Sequence, residues 1–213
     1  QVSLALRYKK KNFIVTAETY LKRIDGVISR SQGFQNQFEF SNTNGNQKSS
    51  GLELLVHNKF KNIKTWLTYN FNNNSIFLEG LNNNNYFPTN QDIRHYLSLN
   101  TSVEVNQFNF AIAGNWHTGK PFTSINTTNP LETNSTINFN PVNSNNLKNY
   151  FRVDFSMNYT FKFKGRIGLS IWNLLNTKNT LNTYYILDEN NSIKTINTNS
   201  LGLTPNISFR INL

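Results

Sequence analysis

One stretch limits this chain more than any other: residues 152 to 163 read Arg-Val-Asp-Phe-Ser-Met-Asn-Tyr-Thr-Phe-Lys-Phe. Val153, Phe155, Met157, Tyr159, Phe161 and Phe163 fall on one parity, and Arg152, Asp154, Ser156, Asn158, Thr160 and Lys162 on the other. Side chains of a strand alternate between its faces, so this is a two-faced strand. One face is bulky and aromatic; the other is polar and charged. A strand of about ten residues with that division suits a transmembrane β-barrel, apolar toward lipid and polar toward a wet interior.

Mean hydropathy is −0.52 and only 37% of residues are hydrophobic. Barrel strands show lipid only every second residue, so a low average is compatible with membrane insertion. No apolar run approaches the roughly 18 residues of a membrane helix. The chain lacks cysteine, which removes disulfide scaffolds, thiolate metal sites and cysteine nucleophiles. Its net charge of +10 invites a nucleic-acid or anionic-lipid reading, but no nucleic-acid-binding motif accompanies it, and the charge gathers in basic turns (Lys9-Lys10-Lys11; Lys59, Lys61, Lys64). Nucleic acid is therefore not an expected partner. Roughly a fifth of the residues are asparagine, with runs at Asn72 to Asn74 and Asn82 to Asn85, which favours turns.

Turn signals divide the chain into about nine strands, near 2–9, 12–24, 49–60, 63–76, 90–105, 108–123, 149–163, 165–187 and 199–213. Short turns fall at Lys10-Lys11, Lys61-Asn62, Asn106-Gln107 and Lys164-Gly165. Long polar connections fall at 25–48, 77–89, 124–148 and 188–198. One end of the sheet therefore has tight turns and the other long loops, the asymmetry of outer-membrane barrels with short periplasmic turns. The alternation recurs: Val2, Leu4, Leu6 and Tyr8; Leu97, Leu99 and Val103; Phe108, Phe110 and Ile112; Ile167, Leu169 and Ile171; Ile207, Phe209 and Ile211. Small or polar residues stand opposite them, which suits a wide lumen rather than a side-chain-filled interior. Aromatics near strand ends (Tyr8, Phe13, Phe60, Tyr69, Phe71, Phe161, Phe163) resemble interfacial girdles.

Five segments in order resemble the C-terminal strands of TonB-dependent outer-membrane receptors: Asp92-Ile93-Arg94-His95, Gly119-Lys120-Pro121-Phe122-Thr123, Tyr150 to Ser156, Gly168 to Asn176, and Thr204 to Ile211. Gly51-Leu52-Glu53-Leu54 is similar to a strand opening upstream of them. The resemblance implies an all-β fold: the C-terminal portion, 1–213, of a larger antiparallel transmembrane β-barrel, an open curved sheet when taken alone. It implies a receptor of the cell outer membrane that takes up a scarce nutrient with energy from TonB. Its partners would be outer-membrane lipid, a plug domain that contacts TonB, and a surface lipoprotein over the loops. The family's barrel has 22 strands; this chain has about nine, without plug or signal peptide. A leader cleaved or encoded upstream is the expectation. The last residue, Leu213, stands where such barrels usually end in an aromatic.

No catalytic constellation is found, so no enzyme activity is expected, and no cofactor. His57, His95 and His117 lie on separate strands without carboxylates at ligand spacing, which argues against a metal site. Asp92, Arg94 and His95 suggest acid–base work, but a charged strand opening in the barrel wall accounts for them better. Polar-parity charges are the candidate lumen lining: Arg7, Glu18, Glu53, Arg94, Glu104, Arg152, Asp154 and Arg210. Phe34, Phe38, Tyr86 and Phe87 are the candidate ligand contacts on extracellular loops, with loop self-packing as the competing use. Two rival readings are a passive outer-membrane channel, for diffusion or lipid transport, and a soluble β-sandwich carbohydrate-binding domain. The sandwich would turn its aromatics inward.

Overall fold

The computed structural model describes residues 1–32, 40–131, 136–162 and 165–211. Nine strands form one antiparallel sheet in the order β1 (Val2–Lys10), β2 (Phe13–Gln32), β3 (Phe40–Phe60), β4 (Ile63–Leu78), β6 (His95–Val105), β7 (Phe108–His117), β10 (Tyr150–Thr160), β11 (Gly165–Trp172) and β14 (Thr204–Ile211). A short β5 (Phe87–Pro88) pairs with β4. Two small hairpins lie apart from this path: β8 (Pro121–Phe122) with β9 (Asn145–Asn146), and β12 (Thr180–Leu187) with β13 (Ile193–Asn199). Each large strand pairs with its sequence neighbour in the sheet, as hairpin connections require. β1 and β14 form its two edges and do not pair with each other.

The register carries the alternation across the whole sheet. Leu6, Ala17, Leu54, Tyr69, Leu97, Trp116 and Phe151 form one cross-strand row. Thr101, Ile112, Phe155 and Ile171 form another, and Val105, Phe108, Tyr159, Ile167 and Phe209 a third. All belong to one face, and among the described residues nothing covers it: Leu4 is 64% exposed, Leu99 49%, Ile112 50% and Phe209 62%. Among the described residues the only buried apolar side chains are Leu78 and Phe87, both at the loop end. A soluble sheet buries its apolar face against a second layer. This sheet has a single layer, so the inward-facing aromatics of a β-sandwich are not what the chain forms.

Aromatic and large apolar side chains mark both margins of that face. Phe108, Tyr159 and Phe161 lie near the short turns, with rings 4.8 and 4.9 Å apart. Tyr69, Phe71, Trp116 and Phe151 lie near the loops. The strands between, β6, β7 and β10, have 11, 10 and 11 residues, the length that crosses a bilayer when tilted.

Several expected boundaries change. The connection 25–48 is largely a tall hairpin, because β2 and β3 pair as far as Gln32 and Phe40. Gly26 stands outside this ladder with φ 71°, a one-residue bulge between Asp25 and Val27 that glycine accommodates. The strand expected over 165–187 stops at Trp172, and 180–187 joins a separate hairpin with β13, so 188–198 is a hairpin tip and its second strand rather than a loop. Expected strand 90–105 begins at His95, 108–123 ends at His117, and the last strand begins at Thr204 rather than 199. At Gly119 the chain runs so close to Leu147 that an added Cβ would meet its carbonyl oxygen at 1.6 Å, a contact only glycine permits. The first short turn is Lys11-Asn12, one residue later than expected. Its first residue, like Lys61 and Asn106 in the next two hairpins, has φ near +50° (50°, 52° and 53°).

Candidate functional site

The face opposite the apolar one collects the expected polar-parity residues. Arg7 shares a row with Thr16, Leu55, Thr68, Ser98, Asn115 and Arg152. Glu18 and Glu53 are cross-strand neighbours in the next row, which runs through Asn70, Tyr96 and His117 to Tyr150. Like charges placed opposite repel, so the Glu18–Glu53 pairing does not add to sheet stability. Glu104 pairs with Lys64 at 2.7 Å, and Arg210 stands opposite Arg166. Arg94 pairs with Asp92 at 2.7 Å just before β6.

The most organised part of this face lies on β6, β7, β10 and β11, at the loop end. The rings of Tyr96 and His117 lie 6.3 Å apart, and those of His117 and Tyr150 lie 4.7 Å apart and nearly parallel, at 6°. The register places these three side by side, so the stack follows from sheet pairing. Arg152 Nη1 donates to Tyr150 Oη at 2.8 Å, and its Nε donates to Asp154 Oδ2 at 2.9 Å. Its guanidinium carbon lies 3.3 Å from the centre of the Trp172 ring. A planar guanidinium can hold a carboxylate and a ring face together, which an ammonium cannot. The second Asp154 oxygen accepts the Asn173 N–H at 2.9 Å. Beside this cluster Tyr96 Oη and Ser98 Oγ both donate to Asn115 Oδ1, at 3.1 and 2.9 Å.

Toward the middle of the strands this face is hollow. Ser102, Ala111, Ser156 and Ser170 form one row of small residues. Trp66 and Trp172 stand at either side of the concavity, with Asp154 at its margin. The arrangement offers flat rings, a guanidinium and hydroxyls around a shallow recess. It suits reversible stacking and hydrogen bonding to a partner.

Other sequence candidates are placed apart from this cluster. Asp92 Oδ1 accepts the Asn74 N–H at 2.7 Å, while His95 Nδ1 meets Tyr69 Oη at 2.9 Å on the opposite face. Asp92, Arg94 and His95 therefore do not form a shared acid–base unit. His57 lies against Trp66, 5.1 Å between ring centres, far from the His117 stack in the row pattern. Phe87 is only 6% exposed and packs within the loops. Tyr86 is 39% exposed, with Lys48 Nζ 4.1 Å from its ring centre. Phe34 and Phe38 lie outside the described residues. The loops are locked together around Phe87: Asn82 and Val142 exchange two hydrogen bonds at 2.8 and 2.9 Å, and Asn143 Nδ2 donates to the Pro88 carbonyl at 2.9 Å.

Sequence reasoning passed over three residues. Trp172 breaks the polar parity of β11, an aromatic beside Ser170, and that irregularity was the available signal. Asn173 and Asn179 are 0% and 2% exposed. Asn179 exchanges two hydrogen bonds with the Phe151 backbone, both 2.9 Å, standing in for a strand neighbour. Their spacing around Asn176 was visible but lost among many asparagines.

No protein-family model and no curated protein sequence matches the chain. Solved structures do match it. The FrpB iron transporter of Neisseria meningitidis is 13% identical, with TM-score 0.60 over 83% of this chain. The outer membrane transporter YddB of Escherichia coli is 15% identical, with TM-score 0.59 over 98%. The siderophore receptor PiuA of Acinetobacter baumannii is 12% identical, with TM-score 0.55 over 96%. The chain spans 26%, 32% and 27% of those three chains. It has the fold of part of the barrel wall of outer-membrane receptors and transporters.

Proposed function

We propose that this chain is the C-terminal wall of a TonB-dependent receptor barrel in the cell outer membrane. One observation carries the reading: a single-layered sheet with an uncovered apolar face and a polar opposite face, superposable on receptor barrels over most of its length. The apolar face meets lipid. The face bearing Arg7, Glu18, Glu53, Arg94, Glu104, Arg152, Asp154 and Arg210 lines the lumen. The edges at β1 and β14 are where the remaining wall joins, since an open edge leaves backbone groups unpaired in lipid. The whole receptor would contain a plug domain that couples to TonB.

The role is capture and passage of a scarce nutrient rather than catalysis. A ferric siderophore is the ligand class favoured by the likeness to the FrpB iron transporter and the siderophore receptor PiuA. The stack of Tyr96, His117 and Tyr150, with Arg152 on Trp172, is suited to a flat, oxygen-rich, anionic chelate at the outer end of the lumen. Tyr86 on the loops is a second contact. The test is uptake of radioiron-loaded siderophores by cells carrying or lacking the intact gene, with and without a membrane potential. Potential-dependent uptake lost on deletion is the expected result. Passive uptake of small solutes, indifferent to the potential, would favour the channel reading instead.

A further inference from the structure

At the short-turn end, two neighbouring hairpins carry lysines with no carboxylate in reach. Lys10 and Lys11 close the β1–β2 hairpin and Lys61 closes β3–β4; all three are exposed. The two tips are tied together, because Lys59 N donates to the Asn12 carbonyl at 3.0 Å. Among the described residues none of these three lysines has an ion-pair partner, a state they share with Lys22, Lys120 and Lys178, while Arg23, Arg94 and Lys194 at the loop end are paired. Lys64, on the opposite face, is held by Glu104.

The apolar face beside these lysines is equally unusual. Tyr8 is 56% exposed, Phe13 39%, Phe60 64% and Ile63 40%. Lys61 Nζ lies 5.5 Å from the Phe60 ring centre. Lys10 continues the parity of Leu4, Leu6 and Tyr8, so it sits on the apolar face and not on the lumen face. An ammonium at the margin of an exposed aromatic band places its stem among acyl chains and its charge at headgroup phosphates.

We propose that this corner is a binding site for an anionic phospholipid of the periplasmic leaflet. Lys10, Lys11 and Lys61 hold the headgroup phosphate, and Tyr8, Phe13, Phe60 and Ile63 bracket the acyl chains. The site rests on the membrane-barrel reading above, which directs the short turns to the periplasm. A basic group near an anionic bilayer surface contributes about fivefold in affinity.

The test uses the full-length receptor, drawn from native membranes in polymer-bounded lipid discs, and counts retained phosphatidylglycerol and cardiolipin against phosphatidylethanolamine. The wild type should be enriched in the anionic lipids over the bulk membrane. The variant Lys10→Gln/Lys11→Asn/Lys61→Asn should lose that enrichment. Asparagine is used in the turns because it tolerates their positive φ, as Asn106 does in the third hairpin. Lys61→Asn alone should weaken retention by roughly fivefold, and it decides the matter if the triple variant misassembles. A control, Lys22→Gln/Lys120→Gln/Lys178→Gln, should keep the enrichment. Unchanged enrichment in the corner variants overturns the site, as does equal loss in the control, which would mean diffuse charge attraction. Recovery of the receptor in the soluble fraction would overturn the membrane reading itself, and the site with it.

Discussion

Asn173 is the hinge on which the segment after β11 turns, and its replacement has a calculable cost. Its side chain is fully buried and makes three hydrogen bonds: Nδ2 donates to the carbonyls of Thr177 and Leu201 at 2.9 and 3.0 Å, and Oδ1 accepts the Thr177 N–H at 3.0 Å. Its backbone stands at φ 54°. In Asn173→Gly the backbone relaxes into that conformation freely, but the half-buried Thr177 N–H loses its partner and the Thr177 carbonyl keeps only a long bond from Asn179 Nδ2 at 3.5 Å. Leu201 is 67% exposed, so its carbonyl regains water. One lost bond and one weakened one give about 1–2 kcal/mol. Asn173→Ala adds about 1 kcal/mol for a Cβ in the left-handed region. The opening is local, so hydrogen exchange of peptides within 174–203 in the intact protein is the assay. The glycine variant should exchange there roughly five- to thirtyfold faster, the alanine variant several-fold faster again, with β10 unchanged. Wild-type exchange in Asn173→Gly, or equal loss of protection across the whole sheet, would refute the latch.

Three further outcomes are expected. Ile112→Arg, at the centre of the apolar face, should cost about 2–4 kcal/mol of barrel stability and cut the heat-modifiable folded fraction on gels, whereas Ser102→Arg on the polar face should assemble normally. Arg152→Lys should lose the flat stacking on Trp172 and the bond to Tyr150, weakening the intact protein by about 1–2 kcal/mol in denaturant melts, with Asp154→Asn less harmful than Arg152→Ala. At the tip of the β12–β13 hairpin, Asp188 accepts the N–H of Ser192 and of Asn190 and faces Lys194, which holds its carboxyl below the ordinary value against the opposing effect of burial. Its folded value is below its unfolded one, so the tip is fully supported above the unfolded value and loosens as pH falls through the depressed one. Hydrogen exchange of 188–194 should show that loosening in the wild type and not in Asp188→Asn.

The strands were legible because one physical rule, alternation, governs every crossing segment. Val2 to Tyr8, Leu97 to Val105 and Val153 to Tyr159 kept their parity in the observed register. The first three turns were legible because two-residue hairpins leave little choice, although Lys11-Asn12 shifted by one; of the fourth, Lys164 lies outside the described residues and Gly165 begins β11. The failures share a cause. Above the apolar band both faces of a strand meet water, so 25–48 carries no alternation even though β2 and β3 continue through it. Likewise 180–187 has strand composition, and periodicity alone cannot tell continuation of β11 from a new hairpin. That decision belongs to Asn173, whose amide competes for backbone partners. The polar-parity charges of the strands share one face of the sheet, but the grouping of Arg152 with Trp172 and of His117 between two tyrosines depends on which strands are neighbours, which single strands do not encode. Phe87, a candidate ligand contact in the sequence, is buried together with Leu78, because loop aromatics also fill the apolar site between the loops.

The central claim is that one face of this sheet meets lipid and the other water. The chain contains no cysteine, so single cysteines can be placed from Phe108 to His117 in the intact protein and spin-labelled without background from this chain. Accessibility to oxygen, which concentrates in lipid, should peak at positions 108, 110 and 112, and accessibility to a water-soluble nickel chelate at 109, 111 and 113. A period of two in opposite phase is the predicted result. Uniform water accessibility at all positions, or oxygen accessibility peaking at 109, 111 and 113, would contradict the account.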